Sequence, residues 1–68
     1  MSTYYIEASP AFPGRFNMRQ ERYRVEYEQG NEHPHDLMAV GFTALDMRKM
    51  IAEHFAERDI DTSVLPTE

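Results

Sequence analysis

The chain has 68 residues, a formal net charge of −5 and no cysteine. That length allows one small domain with a modest core, and the missing cysteines exclude disulfides and thiolate zinc sites. No apolar run approaches the roughly 20 residues of a membrane span, and no basic-then-apolar leader opens the chain, so a cytoplasmic protein is expected.

The charge is unevenly placed. Residues 1–31 carry four acids and four arginines, whereas residues 32–68 carry eight acids and three bases. Net acidity disfavours nucleic acid as a bulk partner and favours basic protein surfaces.

In chain order, "TYYIEA" alternates aromatic and aliphatic residues and predicts a strand at about 3–8. "SPAFPGRFNMRQ" then breaks the pattern, because Pro10, Pro13 and Gly14 oppose a regular ladder or helix. Phe12 and Phe16 are too apolar for a free loop and are expected to fold back onto the core. "RYRVEYE" alternates Tyr23, Val25 and Tyr27 with charged residues, the period of a half-buried antiparallel strand at 22–28. "QGNEHPH" reads as a turn, with Gly30 and Asn31 able to take positive φ. "DLMAVGF" predicts a third strand at 36–42.

"FTALDMRKMIAEHFAER" predicts a helix at about 44–58. Thr43 is the N-cap, with Asp46 three residues on in a variant capping box. Ala44, Met47, Met50, Ile51, His54 and Phe55 share one arc at helical spacing, and Asp46, Glu53 and Glu57 lie opposite with Lys49 beside them. Residues 59–68 form a C-terminal arm in which Ile60, Val64 and Leu65 can dock. The expected architecture is α+β, a βββα sandwich of two layers: a three-stranded antiparallel sheet with one amphipathic helix packed on one face. Its two open edges can pair with another chain, so a homodimer is one expectation.

The candidates for chemistry are few. His33 and His35 flank Pro34, with Asp36 next. Zinc accepts such ligands, but the spacing matches no defined motif, and a solvated turn is the plainer reading. His54 reads as a histidine at the rim of the core. Ser2, Ser9 and Ser63 sit in terminal or loop segments, none in a nucleophile turn. The scattered glycines at 14, 30 and 41 cannot build a phosphate loop, and Met18, Met38, Met47 and Met50 read first as packing residues. No enzyme, metal or cofactor is expected.

Two surfaces remain. Arg15, Arg19, Arg22 and Arg24 interleave with Phe16 and Tyr23, the mixture single-stranded nucleic acid binders use, but the acidic remainder of the chain opposes that use. Asp46, Glu53 and Glu57 form an acidic stripe on the exposed side of the helix, with Glu53 and Glu57 about 6 Å apart along its axis, and Asp59 and Asp61 extend it. Acids near a helix C-terminus oppose the macrodipole, so the stripe reads either as a solvated face that serves solubility or as carboxylates presented to something basic.

A short, acidic, cysteine-free chain with few strands and one charged helix resembles the small inhibitors encoded by bacteriophages, among them anti-CRISPR proteins. The features that carry the resemblance are the length, the charge of −5 and the carboxylates Asp46, Glu53, Glu57, Asp59 and Asp61. It implies a protein-binding inhibitor that occupies a basic, nucleic-acid-binding groove on a host protein or nucleoprotein complex. A homodimeric structural or regulatory subunit is the alternative from the residues themselves. An RNA-binding module using the 15–24 segment is a third.

Overall fold

The computed structural model describes residues 3–66; Ser2 and the last two residues of the expected arm, 67–68, lie outside them. Strand β1 (Tyr4–Ala8) and strand β2 (Phe16–Gln20) form an antiparallel hairpin in which Ile6 faces Met18 and Tyr5 faces Arg19. The prolines and Gly14 lie in the loop between them, not in either ladder. That loop closes through Ser9 N to Arg15 O (2.9 Å) and Phe12 N to the Ser9 hydroxyl (3.2 Å). The segment read as irregular therefore ends in a strand. Phe16 packs on the core as expected, whereas Phe12 stays exposed at the loop tip.

The expected strand at 22–28 is helical. A 3-10 turn (Glu21–Tyr23) leads into α1 (Arg24–Glu28). Period two in "RYRVEYE" loses to local pairs that only a helix aligns: Arg24 bonds Glu21 at 3.0 Å (i,i+3) and Glu28 at 3.4 Å (i,i+4). Gly30, at φ 88°, then closes the helix in a Schellman motif, with Gly30 N donating to Tyr27 O and Asn31 N to Glu26 O.

Strand β3 (Leu37–Phe42) pairs antiparallel with β2, and helix α2 (Ala44–His54) follows. The Thr43 hydroxyl accepts from Asp46 N at 3.2 Å, the predicted cap. The helix ends four residues earlier than expected. Phe55 leaves helical backbone and packs its ring edge-on against Tyr4, with centroids 5.4 Å apart. Strand β4 (Ile60–Asp61) adds parallel to β1, giving the sheet order β3-β2-β1-β4. The expected three-stranded antiparallel sheet is thus four-stranded and mixed, and there are two helices instead of one. In the arm, Ile60 and Leu65 pack on the core as anticipated, but Val64 is exposed.

The sheet is covered on both faces, by opposite chemistry. On one face Ile6, Met18 and Ala39 bury against Met47 of α2 and Leu65, ringed by Tyr4, Phe16, Phe42, Met50, Ile51 and Phe55. On the other face Tyr5, Glu7, Asn17 and Arg19 lie beneath the 3-10 turn and α1, reached by Arg24 and Tyr27. β3 is an edge strand whose pairing slips twice. Residues 16, 18 and 19 of β2 face 42, 39 and 37, so β3 carries two extra residues. One bulge uses Gly41 at φ 75°, whose amide is taken up by the Asn17 side chain at 3.0 Å.

Candidate functional site

Two regions hold groups capable of recognition: the acidic surface that follows α2, and the polar cluster under α1. In the first, Asp46, Glu53, Glu57 and Asp59 are all exposed. Asp46 stands in the first turn of α2 and Glu53 near its end, about 10 Å further along the axis. Glu57 lies beyond the helix and not one turn above Glu53, which corrects the predicted continuous stripe. Glu53 and Glu57 nevertheless share a shallow depression of about 520 Å³ with His54, Phe55, Ala56 and Arg58.

Asp59 uses its backbone carbonyl to accept from Thr3 N at 2.6 Å and leaves its side chain outside. Asp61 differs: it is half-buried, and its Oδ1 accepts from Ser63 N at 3.0 Å. That backbone hydrogen bond holds the Asp61 carboxyl below its ordinary range. Of the five predicted contact residues, four are exposed, Glu53 with His54 4.0 Å away, and the fifth is committed to a turn.

His54 does not sit at the rim of the core. Its side chain is 68% exposed, 4.0 Å from Glu53. His33 stacks on Tyr23, with centroids 4.0 Å apart and planes 9° off parallel, and its Nδ1 accepts from His35 N. Asp36 is turned inward, away from any shared role with those imidazoles, and among the described residues no three His, Cys, Asp or Glu side chains converge as metal ligands.

Asp36 belongs to the second region. It is wholly buried, with Oδ2 on Arg19 Nη1 at 2.8 Å and Oδ1 accepting from Gln20 N at 3.0 Å. Arg19, 4% exposed, also binds Glu7 Oε2 through Nε at 2.7 Å, and its guanidinium lies 3.5 Å from the centre of the Tyr27 ring. Glu32 reaches the same guanidinium from outside at 3.4 Å. Glu7 further accepts from Asn17 Nδ2 (3.0 Å) and from the Tyr27 hydroxyl (2.7 Å). Burial alone would raise the Glu7 carboxyl, but the bonds from Asn17, Arg19 and Tyr27 outweigh it and hold the group below its ordinary value. Arg19 is likewise pulled down by desolvation and pushed further up by Glu7 and Asp36. Beside them the Tyr5 hydroxyl is buried with no partner among the described residues; burial first, then the nearby Asp36 charge, push it up to about 12.

This cluster escaped sequence reasoning, which places arginine and asparagine outside. The signal lay in the alternation Phe16, Met18, Gln20 against Asn17, Arg19, matching Ile6 and Ala8 against Tyr5 and Glu7. The arginine segment is dispersed by the fold. Arg19 is internal, Arg24 is paired with Glu21 and Glu28, and Arg15 bonds Gly41 O at 3.2 Å. Arg22 lies exposed, 5.2 Å from the Tyr23 ring. Compared with known proteins, the chain matches no family model, no curated protein and no solved structure. No helix among the described residues is long and apolar enough to cross a membrane.

Proposed function

We propose that the protein is a small acidic binding module, without catalytic activity, that docks Asp46, Glu53, Glu57 and Asp59 against a basic surface of a host protein or nucleoprotein complex. This is the mode of a phage-encoded, anti-CRISPR-like inhibitor. One observation carries the reading: Arg19 and Arg24 are tied to carboxylates within the fold, whereas Asp46, Glu53, Glu57 and Asp59 stand exposed on and after α2. Arg19 and Arg24 are committed to Glu7, Asp36, Glu21 and Glu28. Among the described residues, Asp46, Glu57 and Asp59 have no Lys or Arg partner within ion-pair distance. Among the described residues of the second half the exposed acids Glu32, Asp46, Glu53, Glu57 and Asp59 outnumber the exposed bases Arg48, Lys49 and Arg58, and such a field steers a cationic partner. The same commitment of Arg19 and Arg24 weakens the RNA-binding alternative.

The test is affinity capture from a cell lysate by wild type and by a D46N/E53Q/E57Q/D59N variant at moderate salt. Capture by wild type that is lost in the variant, with unchanged circular dichroism, supports the reading. Capture that survives neutralisation overturns it. A homodimer is the second reading, supported by Leu37, Met38 and Val40, which leave apolar surface exposed on the edge strand β3. The bulge at Gly41 limits how much of that edge can pair. A monomeric mass by light scattering at micromolar concentration removes it.

A further inference from the structure

We infer that the segment Glu21–Gln29, the 3-10 turn with α1, is a lid that opens from the charged face of the sheet while the apolar face stays closed. It is attached by polar contacts and by one aromatic stack, Tyr23 on His33 at 4.0 Å. Tyr27 reaches Glu7 through its hydroxyl at 2.7 Å and covers Arg19 with its ring at 3.5 Å, and Arg24 lies 4.4 Å from the centre of the Tyr5 ring. None of the residues from Glu21 to Glu28 is fully buried, and Val25, the one aliphatic side chain among them, faces solvent. Segments with few buried apolar contacts are the ones that open below the global unfolding free energy.

Three further features favour a discrete opening over fraying. First, the ion cluster remains satisfied without the lid, because Arg19 keeps Glu7 and Asp36, Glu7 keeps Asn17, and Asp36 keeps Gln20 N. Second, closure leaves the Tyr5 hydroxyl buried with no partner among the described residues, a cost that opening relieves by letting water in. Third, the segment has defined ends. At one, Glu21 N donates to Thr3 O at 3.0 Å; at the other, Gly30 holds φ 88°. The apolar cluster around Met18 and Met47 lies on the opposite face and loses nothing when the lid lifts. The opened state turns Tyr5, Glu7 and Arg19, a mixed-charge surface, toward solvent.

The test is residue-resolved amide hydrogen exchange on the full chain. Because a five-residue helix does not persist once lifted off the sheet, opening unwinds α1, and the reporters are Gln29, Gly30 and Asn31, whose amides donate to Val25, Tyr27 and Glu26 carbonyls. The references are the amides of β1 and β2, with Met47 in α2. In wild type the reporters are expected to exchange faster than the references. Tyr27→Phe removes only the hydroxyl on Glu7, and should speed the reporters about tenfold or more, as loss of a hydrogen bond to a charged group implies, leaving the references unchanged. Tyr5→Phe removes the unpartnered hydroxyl and should slow the reporters several-fold by favouring closure. Reporters that exchange in step with the strands in wild type, or a Tyr27→Phe variant that leaves reporter exchange unaltered or accelerates all amides equally, would overturn the lid.

Discussion

The two faces of this sheet are built from alternate residues of the same strands yet are held by different forces. On the α2 face Ile6, Met18, Ala39, Met47 and Leu65 exclude water without directional bonds. On the α1 face Glu7, Asn17, Arg19, Tyr27 and Asp36 are held by bonds of fixed geometry, with one arginine at the hub. Apolar packing degrades gradually when a side chain is trimmed, because neighbours relax into the gap. A buried ion cluster does not, because removing one member strands the others in a medium that cannot solvate them. A chain of this size thus builds a second core from charge where it lacks enough apolar mass for two.

The sharpest way to break the comparison is Arg19→Ala. It leaves Asp36 and Glu7 buried without their cation, at a cost of about 3–5 kcal/mol. Total stability for a chain of this length is of order 3–10 kcal/mol, so the variant should be largely unfolded by urea titration. Met47→Ala, on the opposite face, should cost about 2–5 kcal/mol. The decisive contrast is a joint replacement, Arg19→Met with Glu7→Leu and Asp36→Leu, which removes the charges together. It should recover most of what Arg19→Ala loses, since apolar substitutes for a whole buried ion cluster are often tolerated. A triple variant as unstable as Arg19→Ala would mean that the geometry of the bonds, and not charge balance, holds this face.

The pH dependence separates the faces next, because the buried titrating groups with perturbed behaviour, Tyr5, Glu7 and Arg19, lie on the α1 side, Asp61 of β4 being the partly exposed exception. Glu7 is depressed, so its contribution is fully present above the ordinary carboxyl range near 4.5 and is lost as pH falls through its lower folded value. Tyr5 is raised from 10 to about 12, so its contribution is present below pH 10 and is lost between 10 and about 12, where the unfolded phenol ionises first. A two-unit shift corresponds to about 2–3 kcal/mol. Melting curves from pH 3 to 12 should show both limbs. Tyr5→Phe should flatten the alkaline limb, and Glu7→Gln should flatten the acid limb while lowering the plateau. An alkaline limb unchanged in Tyr5→Phe would place the titration elsewhere.

The apolar face was legible in the chain and the charged face was not. Thr43, Met47, Met50, Ile51 and Phe55 announced α2 because capping and a 3.6-residue arc are local signals. β1 and β3 were likewise legible within a residue or two. The largest errors fell on residues 9–28, while the early end of α2 and the unpredicted strand β4 lie beyond that stretch. "FNMRQ" is a strand with both faces buried, and its polar face finds partners on β1, α1 and the 32–36 loop, which sequence spacing cannot reveal. "RYRVEYE" carries the period of a strand but the charge pairs of a helix, and the glycine that stops it served equally well as a hairpin signal. The acidic residues were placed outside correctly at Asp46, Glu53, Glu57 and Asp59. Asp61 was drawn inward by the turn at Ser63, and Glu57 was detached from the helix by the turn after Phe55.

The smallest expected effect sharpens the comparison by adding a third region, the exposed acids, which should contribute to neither face. Asp46→Asn, Glu53→Gln, Glu57→Gln and Asp59→Asn should each shift stability by under about 0.5 kcal/mol, as exposed surface charges do. Asp46 is the one expected to destabilise, since it stands in the first turn of α2, where a negative charge complements the helix dipole. Glu53→Gln and Glu57→Gln should be neutral or slightly stabilising, because both acids stand at or beyond the opposite end, where the dipole disfavours them. The signs can be read in low-salt urea titrations and should fade as salt screens the dipole. Glu57→Gln measurably destabilising at low salt would tie that carboxylate to the fold, and it could then no longer be counted among groups kept outside for a cationic partner.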